Sequence, residues 1–221
     1  MRRRSIVLCT GAALLGLLGL SPASAVGPAA PPAPPAPAPA TRLATFAGGC
    51  FWSMQRAFDG VAGVVSVTSG YAGGTTVNPT YRDVETGETG HAESVEIHYD
   101  PARISYKQLL HVYWHHIDPL TLNSAFCDYG PQYRSVIFTH DAEQRRQAEA
   151  SKRALDASHR FATPVVTAIQ PATPFYRAEE YHQEFYRKNP ARYEAYRVGC
   201  RRDVRLRQLW GDVVISQGAE K

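Results

Sequence analysis

The chain has 221 residues and a formal net charge of +4, part of which comes from arginines at its start. Its remaining basic side chains are interspersed with acids, and no basic stripe supports a nucleic-acid-binding role. The length suits one folded domain, and no internal repeat is visible.

Residues 1–25 read as a cleavable secretory signal peptide. Arg2, Arg3 and Arg4 precede an uncharged apolar run, and Ala23-Ser24-Ala25 forms an A-x-A cleavage site. The run is short for a transmembrane helix, and Arg3-Arg4-Ser5 matches a twin-arginine signal only loosely, so the ordinary secretory route is expected. Residues 26–41 are almost purely Pro and Ala and read as an extended linker. The folded domain is expected over residues 42–215, followed by a tail at 216–221. The mature protein is expected to be exported, periplasmic, soluble and monomeric.

A strand from Leu43 to Phe46 leads into Gly48-Gly49-Cys50-Phe51-Trp52, and a helix follows. Phe51, Met54 and Phe58 share one helical face. Two glycines make a sharp turn cheap and put Cys50 in the first turn, where free N–H groups and the helix dipole favour a thiolate. A buried, inert cysteine would fit the same stretch. Of the four cysteines, Cys9 leaves with the signal, and an odd set of Cys50, Cys127 and Cys200 points to a free or cycling thiol.

Val64 to Ser69 reads as a strand ending in Gly70-Tyr71-Ala72-Gly73-Gly74, and a polar loop is expected from Thr75 to Gly90. From Glu93 to Tyr99 the pattern alternates, with Glu93, Val95, Ile97 and Tyr99 on one face. A carboxyl held in apolar surroundings stays protonated, as a general acid must, whereas a Glu93 at the strand end could instead reach water. Ser105 and Gln108 form a capping box for a helix to about His116. His111 and His115 have zinc-ligand spacing, but no third ligand is apparent, so no metal is expected.

Asp128, Gln132 and Tyr133 form a polar cluster at the junction of a loop with a strand expected from Tyr133 to Phe138. Further on, a surface helix is expected over residues 141–157 and a strand over 164–169. A helix over residues 178–187 should face the core with Tyr181, His182 and Phe185. The chain is then irregular around Cys200 and ends in an amphipathic segment through Leu206, Leu209 and Trp210. Strands and helices without strict alternation give an α+β fold with a mixed central sheet.

Gly49-Cys50-Phe51-Trp52, Gly70-Tyr71-Ala72-Gly73-Gly74, Asn78-Pro79-Thr80-Tyr81, Gly90-His91-Ala92-Glu93 and Gln132-Tyr133-Arg134-Ser135 occur in this order, followed by Tyr181-His182-Gln183 and Lys188-Asn189-Pro190. Together they resemble the A-type peptide methionine sulfoxide reductases over nearly the whole domain. The resemblance implies a ferredoxin-like α/β plait and reduction of methionine S-sulfoxide, free or in proteins. It implies Cys50 as the nucleophile and Glu93 as the acid, with Tyr81, Tyr133 and Asp128 in the same pocket. Phe51 and Trp52 would form the wall that receives the methyl group. Cys200 is the implied resolving cysteine, with Cys127 as the alternative. No cofactor is bound in such enzymes, and an external thioredoxin-like thiol donor resets the disulfide. The chain departs from the family at Ser53-Met54-Gln55, where Gln55 removes a negative charge from the first helical turn, and at Tyr129 and Pro131.

Two other classes fit parts of the pattern. One is a cysteine hydrolase with Cys50 activated by His91 or His182, and the other is a binding module with structural thiols. A thioredoxin-like oxidoreductase is disfavoured because the chain has no Cys-x-x-Cys.

Overall fold

A computed structural model of the protein describes residues 40–211. The signal peptide, nearly all of the linker and the tail lie outside the described residues. The central element is β1 (Arg42–Ala47), whose interior residues Ala44 and Phe46 are fully buried. It pairs antiparallel with β3 (Ala92–Tyr99) on one side and with β6 (Val136–Thr139) on the other. β2 (Val64–Ala72) extends the sheet beyond β3, and the short β8 (Tyr176–Arg177) closes that edge. β7 (Ala168–Pro171) runs parallel to β6 at the opposite edge, so six strands form a mixed sheet in the order β7-β6-β1-β3-β2-β8. The α+β expectation matches this architecture.

Two helices cover one side of the sheet centre. In α1 (Phe51–Phe58) the predicted face of Phe51, Met54 and Phe58 is buried, with at most 1% of each residue exposed. α3 (Tyr106–His115) opens with the expected Ser105–Gln108 capping box and buries Leu109, Leu110 and Tyr113. Phe46 stacks between them, with its ring centroid 5.5 Å from Phe58 and 4.8 Å from Tyr113. Burying a side chain of this size contributes on the order of 1.5–3 kcal/mol, so this aromatic cluster is a main source of the fold's stability. α4 (Ala142–Ala157) is capped by Asp141 and mostly exposed, as its polar sequence implies.

Several elements differ from the sequence reading. The loop from Thr75 to Gly90 contains a helix, α2 (Tyr81–Glu85), whose Thr80–Asp83 capping box was not recognised. The strand expected from Tyr133 starts three residues later, because Pro131–Tyr133 is a 3-10 turn. Before it, β4 (Ser124–Ala125) and β5 (Asp128–Tyr129) form a small hairpin. The strand placed at 164–169 is β7, shifted toward the C-terminus. The helix expected over residues 178–187 is broken into a 3-10 turn (Glu180–His182) and α5 (Phe185–Lys188). Glu184 has φ +51° at the break, and Tyr181 is exposed rather than in the core. The stretch around Cys200 that was expected to be irregular is helical, with α6 (Pro190–Gly199) leading into α7 (Arg202–Trp210), and α7 buries Leu206, Leu209 and Trp210 as the amphipathic pattern implies. α5 stops just before Asn189-Pro190, and Pro190 opens α6, a position that suits its fixed φ and missing N–H.

Candidate active site

The β1–α1 turn places Cys50. Gly49 has φ +84°, and a Cβ on Gly48 would lie 2.4 Å from Ile117, so both positions require glycine. Cys50 is the N-cap of α1, and its carbonyl accepts the N–H groups of Ser53 and Met54. The next backbone N–H, from Phe51, donates to Glu93 Oε2 at 2.9 Å. β3 brings Glu93 there as the polar member of its buried face, with 2% of the residue exposed. The alternative in which Glu93 reaches water does not hold.

Burial pushes the Glu93 carboxyl up to about 8, with smaller contributions from Asp128 and Glu85, while the Phe51 N–H opposes the rise. Glu93 is therefore protonated at neutral pH and can donate a proton. Cys50 is the free cysteine among the described residues and is buried. Desolvation raises its thiol well above the usual range, with added repulsion from Glu93 and Asp128. The Trp52 backbone and the Tyr196 hydroxyl act in the opposite direction. The thiolate expected at a helix start is thus not the resting form, because dehydration outweighs the free N–H groups. Below about pH 8 Glu93 carries no charge, which leaves burial and Asp128 as the main obstacles to ionisation.

The other predicted residues gather around this pair. Tyr81 opens α2 and Tyr133 ends the 3-10 turn. Both hydroxyls are held protonated by burial and by the nearby Glu93 and Cys50. Phe51 packs against Tyr71, Tyr81 and His182, so it forms the floor of the site. Trp52 is half-buried and stacks flat on Phe185 at 3.7 Å, with Tyr196 against its edge. Asp128, its carboxyl raised by burial, accepts the Tyr196 hydroxyl at 2.5 Å. Cys127 and Cys200 are joined in a disulfide.

A family profile described as peptide methionine sulfoxide reductase matches residues 42–214. The peptide methionine sulfoxide reductase MsrA of Listeria innocua is 54% identical over 167 residues, covering 76% of this chain and 94% of the relative. The chain belongs to the A-type peptide methionine sulfoxide reductase family. The MsrA of Bacillus pumilus is 51% identical over 170 residues, covering 77% of this chain and 96% of its own. Among solved structures, reduced Mxr1 from Saccharomyces cerevisiae aligns with a TM-score of 0.65 at 31% identity, over 68% of this chain and 87% of that one. Methionine sulfoxide reductase A of Corynebacterium diphtheriae aligns with a TM-score of 0.60 at 34% identity, over 70% of this chain and 77% of that one. The protein is therefore an oxidoreductase acting on methionine sulfoxide.

Four further residues support the site; Glu179 and Tyr196 were not marked by the sequence, whereas His182 and Gln55 were marked for other reasons. His182 accepts the Trp52 indole N–H at 3.0 Å and packs on Phe51 and Tyr81, which fixes the aromatic wall. Glu179 accepts the Tyr81 backbone N–H and the Tyr71 hydroxyl, both at 2.8 Å, and so anchors α2. Tyr196 connects Cys50 to Asp128. Its only sequence signal is its place among the tyrosines and arginines that precede Cys200. Gln55 is buried and binds Val67, Ser69 and Glu184, so its part is to hold α1 to β2 and to the segment before α5.

The histidines needed for a cysteine hydrolase are engaged elsewhere. Both ring nitrogens of His91 meet backbone atoms, at Gly74 and Thr76. His182 has its Nδ1 on Trp52, and burial depresses its pKa to about 4, so it is neutral and forms no ion pair with Cys50.

Proposed function

We propose that the enzyme reduces methionine S-sulfoxide, protein-bound or free, by attack of Cys50 on the sulfoxide sulfur with Glu93 as the proton donor. The observation that carries this reading is the buried, protonated Glu93, held against the first turn of α1 beside the thiol. A sulfoxide oxygen leaves sulfur readily only when protonated, so acid and nucleophile must share one dry pocket. Tyr81 and Tyr133, both protonated and close to Glu93, are suited to hydrogen-bond the same oxygen. Trp52 and Phe51 supply apolar surface for the methyl group, and Asp128 with Tyr196 borders the far side.

The sulfoxide is reduced by two electrons and leaves as methionine, while Cys50 is oxidised by two electrons to a sulfenic acid. The Cys200 thiol then condenses with it to form the Cys50–Cys200 disulfide and release water. Cys200 follows Tyr196 by one helical turn, its N–H bonded to the Tyr196 carbonyl, and the Tyr196 hydroxyl faces Cys50. The Cys127 thiolate next attacks the Cys200 sulfur, Cys50 leaves as a thiolate, and the bond ends as Cys127–Cys200, the pair seen in the structure. Cys127 is exposed whereas Cys50 is buried, so an external dithiol reaches the oxidised pair more easily than it reaches Cys50. A thioredoxin-like donor takes the bond as its own disulfide and returns both thiols. With the signal sequence read from residues 1–25, the setting is repair of oxidised proteins in the cell envelope.

The test is reduction of separated methionine sulfoxide epimers by the purified chain with dithiothreitol. Turnover of the S epimer alone is expected. Turnover of neither epimer would refute the reading.

A further inference from the structure

Arg202 is the one arginine or lysine among the described residues that is buried, with 1% of its surface exposed. It makes no salt bridge with a carboxylate among them. Its guanidinium lies over the Phe126 ring at 4.0 Å, and Nη2 donates to the His116 carbonyl at 2.7 Å. Nη1 has no hydrogen-bond partner. It lies 3.6 Å from the place a Cβ on Gly49 would occupy, beside the residue that precedes Cys50.

An arginine keeps its charge in proteins, and a permanent cation in a dry site is costly without a partner. The groups around it come from several elements. Cys50 stands at the start of α1, Asp128 on β5, and Tyr193, Tyr196 and Arg197 on α6. Next to α3, His116 is kept neutral by burial, its pKa near 4. Arg197 is already paired with Asp203. With Glu93 protonated, the anions that can form near Arg202 are the carboxylate of Asp128 and the thiolate of Cys50.

We propose that Arg202 is a positioning residue for the Cys50 thiolate: its buried guanidinium, with Nη1 open beside Gly49, offsets the negative charge formed when the thiol loses its proton. This rests on Cys50 being the nucleophile. A thiol raised by burial and by Asp128 needs a nearby positive charge to ionise, and cations beside cysteines lower their pKa. Arg202 is also two residues from Cys200, with Arg201 at φ +52° turning the chain between them. Phe126, on which Arg202 stacks, is next to Cys127, so the stack joins the two segments that carry the Cys127–Cys200 pair.

The experiment is the pH dependence of Cys50 alkylation by iodoacetamide in the disulfide-intact full chain, read at the Cys50 peptide by mass spectrometry. Arg202→Met is expected to move the midpoint up by about one pH unit or more, so that alkylation below the midpoint slows about tenfold. Arg202→Lys, which keeps a positive charge, is expected to stay close to the wild-type profile. Arg202→Gln keeps a donor for the His116 carbonyl while removing the charge, and it gives the same upward shift if the Met variant does not fold. Coincident profiles for wild type and a folded uncharged variant would overturn the proposal, and so would an equal shift in Arg202→Lys. The readout needs no sulfoxide, so a failure of the reductase reading is distinguished from a failure of this one.

Discussion

Phe51 and Glu93 are joined by a 2.9 Å hydrogen bond from a backbone N–H to a carboxyl oxygen, linking the first turn of α1 to the start of β3. A protonated carboxyl can accept that N–H on one oxygen and still donate its proton from the other. The same bond sets the height of the acid relative to Cys50, one residue before Phe51. A helix terminus that would otherwise leave a free donor thus holds the acid beside the thiol.

Replacing Glu93 with Gln keeps the acceptor for Phe51 but removes the proton. The turnover rate with dithiothreitol is expected to fall by about 10²–10⁴-fold, the usual range for loss of a general acid, with KM changed much less. Because the Glu93 pKa stands near 8, the wild-type rate limited by this acid should decline above that pH, tenfold per unit, as the protonated fraction falls. Steady-state kinetics from pH 6 to 10 checks both effects.

The same substitution has a stability signature. Glu93 holds its proton more tightly in the folded protein, near 8, than in the unfolded chain, near 4.5. Its contribution to stability is complete below about 4.5 and is lost as the pH rises through 8, since the unfolded chain releases the proton first. Glu93→Gln should therefore gain on wild type across that window, by on the order of 3–5 kcal/mol, and stay level above it. Urea denaturation of both proteins at pH 4.5, 6.5 and 8.5 measures the difference. A gap that stays constant with pH would contradict the buried, protonated state.

The centre of the sheet and α1 were legible because hydrophobic period and glycine placement act locally. Cys50 and Glu93 were named from one turn and one alternating face, and the fold brings them together. The burial of Glu93 depends on what packs over it, which a strand pattern does not record. The Leu206, Leu209 and Trp210 face of α7 was legible for the same reason as α1. The stretch around Cys200 was misread because α6 and the start of α7 carry many Arg and Tyr residues, whose burial comes from pairing. Tyr193 donates to Ser53, Tyr196 to Asp128, and Arg202 to the His116 carbonyl. Each of these contacts joins positions far apart in sequence, so no local pattern marks them. Gln55 was read for the charge it lacks, whereas its carboxamide holds three segments together.

That last contact is directly testable. Gln55→Leu would leave the Val67 carbonyl, the Ser69 hydroxyl and the Glu184 N–H without their partner. Buried groups stripped of hydrogen bonds cost about 1–3 kcal/mol each, partly relieved by relaxation, so a loss of roughly 2–4 kcal/mol is expected. Urea denaturation should show it as a lower midpoint with an unchanged slope.

Cys127 offers the sharpest check on how the oxidised enzyme is reset. Suppose reduced enzyme is given one equivalent of methionine sulfoxide and no external reductant. Wild type should then finish with Cys127 bonded to Cys200 and Cys50 free, the arrangement in the structure. Cys127→Ser cannot pass the bond on and should stop at Cys50–Cys200. Its turnover with a thioredoxin-like donor should fall by about tenfold or more, because the remaining disulfide includes a sulfur that the protein buries and exchange depends on access. Peptide mapping without reduction identifies each bond. A Cys50–Cys127 bond in Cys200→Ser, formed as fast as the wild-type disulfide, would reverse the order of the two thiols, since Cys127 would then meet the sulfenic acid first.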